Sequence, residues 1–166
     1  MDNVIRMTGK LDPRGSWEAT HCSIAKAFDA VSTRSAILIL REAFYGTTRF
    51  DDFVARVGVT EAVAAARLRE LVDEGLLARE PYQEPGQRTR YEYRLTEKGS
   101  DFFPAVVALM GWGDRWLNNG GRVELVHRDC GAPVTAQVRC ARGHDVAPGD
   151  LDLAVKKQPR KRSAAA

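Results

Sequence analysis

FDDFVARVGVTEAVAAARLRELVDEGLLARE, residues 50–80, contains two helical stripes and then a switch to strand-like alternation. Phe50, Phe53, Val54 and Val57 recur at i, i+3, i+4, i+7, the spacing of one helix face. Asp51 and Asp52 fall in the first turn, where the helix dipole favours acids. Gly58 stops this helix, and only Val59 separates it from Thr60, the N-cap candidate of the next. Ala64, Leu68, Leu71 and Val72 form the second stripe, and Gly75 is its C-cap candidate. The opposite side carries Ala62, Val63, Ala66, Arg69, Glu70 and Asp73. A glycine in so short a turn permits a sharp angle between the two helices. Beyond Gly75, Leu77 to Glu80 alternate, as do Arg90 to Leu95, and PYQEPGQRT lies between them. That pattern predicts a hairpin with a long polar loop.

Working upstream, residues 1–20 show no sustained period and hold Gly9, Pro13 and Gly15; they read as a loose arm with Trp17 as its anchor. From Cys22 a helix is predicted, with Ile24, Phe28 and Val31 on one face. Ser35 is the expected cap of a second helix, AILILREAF, whose Ile37 to Leu40 run is apolar on every side, so that it belongs in the middle of a core; Gly46 ends it. Downstream, Thr96 is expected to cap one long helix reaching about Leu117, kinked at Pro104. Phe102, Phe103, Val106, Leu109, Met110, Trp112, Trp116 and Leu117 make it too apolar for a small core alone, so it is expected to pack on a second subunit. Residues 21–118 thus form the principal domain. Residues 122–155 read as a small β-rich segment, with Val123–Val126 and then Val134, Ala136 and Val138 in alternation; 156–166 read as a disordered basic tail.

The composition, 44% apolar and 28% charged over 166 residues, is that of a globular chain. No apolar run reaches the roughly 20 residues of a membrane span, and the N-terminus lacks a signal-peptide layout. Three cysteines do not make a disulfide framework. A cytoplasmic protein with reduced thiols and no membrane association is expected. The net charge of +3 comes from the tail: Lys156, Lys157, Arg160, Lys161 and Arg162 carry +5, which leaves −2 for residues 1–155. Global charge therefore says little about nucleic acid, and a local patch must carry that argument.

Three helices followed by a two-stranded hairpin is the order of a winged helix-turn-helix. The expected fold class is mainly α with a small β-hairpin wing, plus a short β-rich C-terminal appendage. Such a fold can place the second helix of the pair in a DNA major groove, N-terminus first, with the hairpin tip on a minor groove or on phosphates. The stretch from Cys22 to Leu117 resembles the HxlR-type winged-helix transcriptional regulators of bacteria. The resemblance rests on Cys22 opening the first helix, ILILRE, Arg49-Phe50, RLRELVDEGL, the Arg90–Gly99 stretch ending LTEKG, and the Pro104 to Trp112-Gly113 end.

The resemblance implies a homodimer, built from terminal helices, on a pseudo-palindromic operator in double-stranded DNA, with a repressor role. It makes Thr60 to Arg69 the recognition helix. Relatives usually have Ser-Pro or a basic residue early in this helix, and this chain has Thr60, Glu61 and Ala62; Ala66 also replaces a frequent basic residue. Base reading is then expected from apolar contact of Ala62, Val63 and Ala66 with thymine methyls, while Arg67 and Arg69 hold phosphates or one guanine. Arg34 and Arg49 are phosphate candidates, as are Gln87, Arg88 and Arg90 in the wing, partly offset by Glu84 and Glu92. In the plainer alternative Arg67 and Arg69 are simply solvated, or paired with Glu70 and Asp73 at helical spacing. The alternative function is a winged-helix protein-interaction module without specific DNA binding. No nucleophile elbow, phosphate loop or supported carboxylate pair points to an enzyme.

Cys22, expected at a helix N-terminus and next to His21, is the candidate redox-sensing residue. In some relatives a cysteine at this place senses oxidants; the alternative is a small buried hydrophobe in the dimer seam. An oxidant at Cys22, or a small molecule in a pocket under the long helix, is the expected kind of effector. His127-x2-Cys130 and Cys140-x3-His144, with Gly131 and Gly143 to allow tight knuckles, could together close one structural zinc site. Cys130 and Cys140 could equally form a disulfide or pack without metal.

Overall fold

Gly58 and Gly75 both adopt φ of 70°, the left-handed conformation that ends a helix without a Cβ clash. These two residues set the frame of the protein. The computed structural model describes residues 3–13, 15, 22–31, 33–117 and 119–156. In chain order the elements are β1 (Arg6–Met7), α1 (Ser23–Ala30), α2 (Arg34–Phe44), α3 (Phe50–Val57), α4 (Glu61–Asp73), β2 (Leu77–Tyr82), β3 (Arg90–Leu95), α5 (Glu97–Ser100), α6 (Phe103–Trp116) and β4 (Asp152–Leu153). They fall into two units: Ser23–Ala136, and a second that joins the residues up to Cys22 with those from Gln137. Trp17, His21, Ser32 and the tail from Lys157 lie outside the described residues.

The larger unit is a winged helix-turn-helix, mainly helical with one antiparallel hairpin. Its core is where the apolar stripes predicted it. Ile39 and Leu40 of α2, Phe53 of α3, Leu68 and Leu71 of α4, and Leu77 of β2 are fully buried. Tyr93 of β3 meets Phe53 edge-on, with ring centroids 6.3 Å apart. The cap of α2 is Thr33, whose hydroxyl accepts from Ala36 N at 3.1 Å, and not Ser35, which lies inside the helix. Both hydroxyls suit an N-cap; the extended backbone that the position needs is found at Thr33 (φ −138°, ψ 155°). Glu42, beyond the apolar Ile37–Leu40 run of α2, is buried as well. Arg41 pairs with it at 2.6 Å, the Thr47 hydroxyl reaches it at 3.4 Å, and Arg56 of α3 donates to Thr47 at 2.8 Å. Paired and hydrogen-bonded, a carboxylate can be accommodated there.

The single long helix predicted from Thr96 is two. Thr96 caps the one-turn α5 by accepting from Gly99 N at 3.0 Å, and its own hydroxyl donates to Gly75 O at 2.6 Å. A Cβ at Gly99 would fall on the Leu76 carbonyl oxygen, so only glycine lets α5 lie this close to the start of the hairpin. Pro104 sits in the first turn of α6 and does not kink it, because its missing N–H would find no intrahelical partner there anyway.

The apolar faces of α1 and α6 are not in the core. Val31, Val106 and Val107 are buried, but Ile24 is 68% exposed, Phe28 62%, Leu109 52%, Trp112 58% and Trp116 63%. No residue within α1 is buried; of its predicted stripe, Val31, just past the helix end, reaches the core while Ile24 and Phe28 stay exposed. Ile24, Phe28, Val31, Ile37, Leu109 and Trp112 line a groove of about 550 Å³ in which Ser23 is the sole polar lining residue among the described residues.

In the smaller unit the arm is not loose. β1 pairs parallel with β4, Arg6 opposite Asp152 and Met7 opposite Leu153. Thr8 N donates to Leu153 O at 3.0 Å, Arg6 forms a two-pronged pair with Asp152 at 2.7 and 3.0 Å, and Leu11 is buried. The strands predicted at Val123–Val126 and Val134–Val138 shrink to isolated bridges. Val126 faces Pro133 in the larger unit and Arg139 faces Asp145 in the smaller. Val123, Val126, Val134 and Val138 are all exposed, so the alternation has no buried face to extend a ladder against.

Candidate nucleic-acid interface

The N-terminus of α4 is built by local rules. Thr60 takes the extended cap conformation, and its hydroxyl accepts from Val63 N at 3.4 Å. The stripe of Ala64, Leu68 and Leu71 turns inward, which leaves Glu61, Ala62, Val63 and Arg69 exposed and Ala66 half-buried. The two arginines of α4 differ. Arg67 is held by Glu70, one helical turn on, at 2.6 Å, as the plainer reading of the sequence allowed. Arg69 has no hydrogen bond or ion pair among the described residues and does not take Asp73. It is therefore available to a phosphate or a base edge without breaking an existing contact. Arg34, in the first turn of α2, is likewise exposed and unpaired among the described residues.

The wing follows from pairing and turn chemistry. β2 and β3 run antiparallel from Leu77 opposite Leu95 to Tyr82 opposite Arg90. At the tip Gln87 N donates to Glu84 O at 3.0 Å across Pro85-Gly86, with Gly86 at φ 77°. That is the arrangement of a type II turn. The Gln83 amide donates to Gln87 O at 3.0 Å and braces the tip. The side chains of Gln87, Arg88 and Arg90 are exposed, and with Tyr82 and Glu84 they line a hollow of about 170 Å³.

Arg49 is placed differently from the sequence expectation. It caps α3, bridges Glu92 of β3 through its backbone, and is followed along the same edge by Tyr93 N donating to Thr48 O at 2.8 Å. The wing thus gains a short third strand. The Arg49 guanidinium lies over the Tyr82 ring, 4.2 Å from its centroid. Its Nη1 donates to Tyr82 Oη at 2.9 Å and to Glu84 Oε1 at 2.8 Å. The Glu84 hydrogen bond is the main cause that raises the Arg49 pKa above its usual value. Tyr82 and Glu84 were not singled out as partners of Arg49, because a contact over thirty-odd residues leaves no local spacing signal. Arg56 donates to Thr47 from nine residues away, a separation that matches no helix or strand period.

Cys22 is half-buried and a free thiol, as are the exposed Cys130 and Cys140, so no disulfide joins the last two. In the larger unit His127 Nδ1 stands 3.3 Å from Cys130 Sγ. In the smaller unit the backbone N–H groups of Arg142 and His144, foremost among several, lower the Cys140 thiol pKa, and Cys140 N donates to His144 O at 3.0 Å. Each pair by itself supplies two donors, short of the four of a structural zinc. Among the described residues no group of three or more His, Cys, Asp or Glu is gathered for a metal ion. Beneath α6, Ile37, Arg41, Tyr45, Met110, Leu117 and Arg122 are among the residues lining a cavity of about 780 Å³. No helix among the described residues is long and apolar enough to cross a membrane.

The family model described as HxlR-like helix-turn-helix matches residues 30–120. An uncharacterised HTH-type transcriptional regulator of Mycobacterium tuberculosis, Rv3095, is 41% identical over 120 residues, 71% of this chain and 75% of that protein. Among solved structures, the putative transcription factor PA1607 superposes with a TM-score of 0.74 at 36% identity, covering 82% of this chain and 96% of that one. A second, PA1374 of Pseudomonas aeruginosa, superposes at 0.59 with 34% identity, covering 86% and 96%.

Proposed function

The chain belongs to the HxlR-like helix-turn-helix family of transcriptional regulators, and from that premise we propose that it works as a homodimer that binds double-stranded DNA in a sequence-specific way and represses transcription. The observation that carries the reading is the exposed start of α4 at Glu61, Ala62 and Val63, with Arg69 further along the helix exposed and unpaired among the described residues, beside a wing whose tip exposes Gln87, Arg88 and Arg90. In this reading α4 enters the major groove. Ala62, Val63 and Ala66 offer apolar contact to thymine methyls, and Arg69 takes a phosphate or a guanine edge. Gln87, Arg88 and Arg90 hold the flanking backbone, and Arg34 adds a phosphate contact.

A second copy is the occupant proposed for the α1–α6 groove. The residues that line it are too apolar and too exposed to face water in a lone protomer. Twofold symmetry would then set two α4 helices on successive major grooves, about 34–36 Å apart. A ligand in the cavity beneath α6, or oxidation of Cys22 at the head of α1, would alter that separation and so the affinity.

The test is selection of duplexes from a random library, followed by anisotropy titration of the recovered duplex and a scrambled one at two salt concentrations. Specific, twofold-symmetric binding that weakens in Arg69→Ala supports the reading. Equal binding to both duplexes that collapses with salt refutes it.

A further inference from the structure

We propose that Glu84 and Arg49 form a latch in the DNA-free protein, closed by the carboxylate and opened when a DNA phosphate takes the carboxylate's place on the guanidinium. The inference rests on the DNA-binding reading above and adds a competing contact within the wing. Arg49 is fixed at its root by three constraints: it caps α3, its backbone bridges Glu92, and its neighbour Thr48 accepts from Tyr93 N. Its head is fixed by the Tyr82 ring and hydroxyl. Glu84 is fixed as the first residue of the Pro85-Gly86 turn. The carboxylate is therefore presented to the guanidinium by the turn, and no long flexible arm has to find it.

The latch is built to open. The Arg49 and Glu84 side chains are 44% and 55% exposed, and ion pairs in that setting are weak. Nη1 serves both Tyr82 and Glu84, which leaves Nε and Nη2 unengaged by any contact among the described residues. A phosphate can thus approach through Nε and Nη2 a guanidinium that Tyr82 continues to orient, and its charge then competes with the Glu84 carboxylate for the same cation. Arg49 also lines, with Arg79 and Arg90, a hollow of about 600 Å³ between the wing and the start of α3, so the incoming anion meets three cations there. Asp51 and Asp52 line it too and oppose that approach. Glu84 acts as a positioning residue in this scheme: it holds the wing tip against α3 until DNA replaces it.

The experiment is a double-mutant cycle of Glu84→Gln and Arg49→Gln, read as affinity for the selected duplex across a salt series. Arg49→Gln keeps a donor for Tyr82, and thermal melts confirm that each variant is folded. Glu84→Gln is expected to tighten binding roughly two- to five-fold, the range set by the strength of exposed pairs, and to steepen the salt slope by up to about 0.9. In the Arg49→Gln background most of that gain disappears. An equal gain in both backgrounds overturns the latch, since it means that Glu84 acts only as a negative charge near DNA. If the selected duplex is still preferred over the scrambled one in that case, the DNA-binding reading stands alone; if the two bind equally, both fall.

Discussion

Replacing Phe28 by Ala tests whether the α1–α6 groove is a self-association surface. Full burial of a side chain of this size is worth about 2.5 kcal/mol, and 62% of Phe28 is exposed in the protomer. The part still available for burial is therefore worth about 1.5 kcal/mol per copy. In a twofold interface the same change occurs twice, so the dimer should lose about 3 kcal/mol. That corresponds to a dissociation constant raised roughly a hundred-fold. The part of Phe28 already covered in the protomer is worth about 1 kcal/mol on the same scale, so the protomer itself should lose far less than the dimer. Sedimentation velocity over a dilution series reads the association constant, and a denaturant melt well below it reads the protomer. Trp112→Ala, at a site 58% exposed on the same groove, should behave alike. Wild-type protein that is monomeric throughout, or a Phe28→Ala variant that dimerises as wild type, would refute the reasoning. A variant that unfolds would contradict the exposure on which the magnitude rests.

Gly99→Ala should destabilise the larger unit by at least about 1–3 kcal/mol, because the new methyl lands on the backbone oxygen of Leu76 and no side chain can yield; a melt lowered by several degrees is the expected reading. Thr33→Ala and Thr60→Ala should each cost about 1 kcal/mol. Thr33, with the shorter cap bond of 3.1 Å against 3.4 Å, should cost more, as judged by urea midpoints. The Arg6 hydrogen bond lowers the Asp152 pKa, so the β1–β4 pairing should be at full strength above the usual carboxylate range and weaken as the pH falls through that lowered value; amide exchange at Thr8 N, which donates to Leu153 O, follows it.

The parts of this fold that were legible in the sequence are those fixed by neighbours in the chain. Gly58, Thr60 and Gly75 bound α3 and α4 where a reader of turns and caps would put them, since each acts on its own backbone. The hairpin was legible from alternation and Pro-Gly. What was not legible depends on distance. The pairing of Arg6 with Asp152 spans nearly the whole chain, and its two-residue strands carry no period. Arg49 bears the sequence signature of a phosphate ligand, but only the folded wing reveals that Glu84 already holds it. Thr33 and Ser35 are equivalent by type, and backbone geometry alone separates them. On α1 and α6 the stripes were read correctly, but whether they face a core or another surface is a property of the whole assembly, which periodicity does not encode.

The eight residues of α1 bury nothing of their own; Val31, just past its end, is the nearest fully buried side chain. A helix this short is below the roughly 12–15 residues at which a peptide holds its helical form in water. It is therefore a segment that another surface must stabilise, and in a lone protomer it would fray from Ser23 towards its Val31 anchor. If the groove is filled by a second copy, the helix content of this protein becomes a function of how much protein is present: dilution would unwind α1 before it disturbs the core. Association would then carry the large negative heat-capacity change and slowed encounter of a folding reaction, although each protomer arrives with its core already formed.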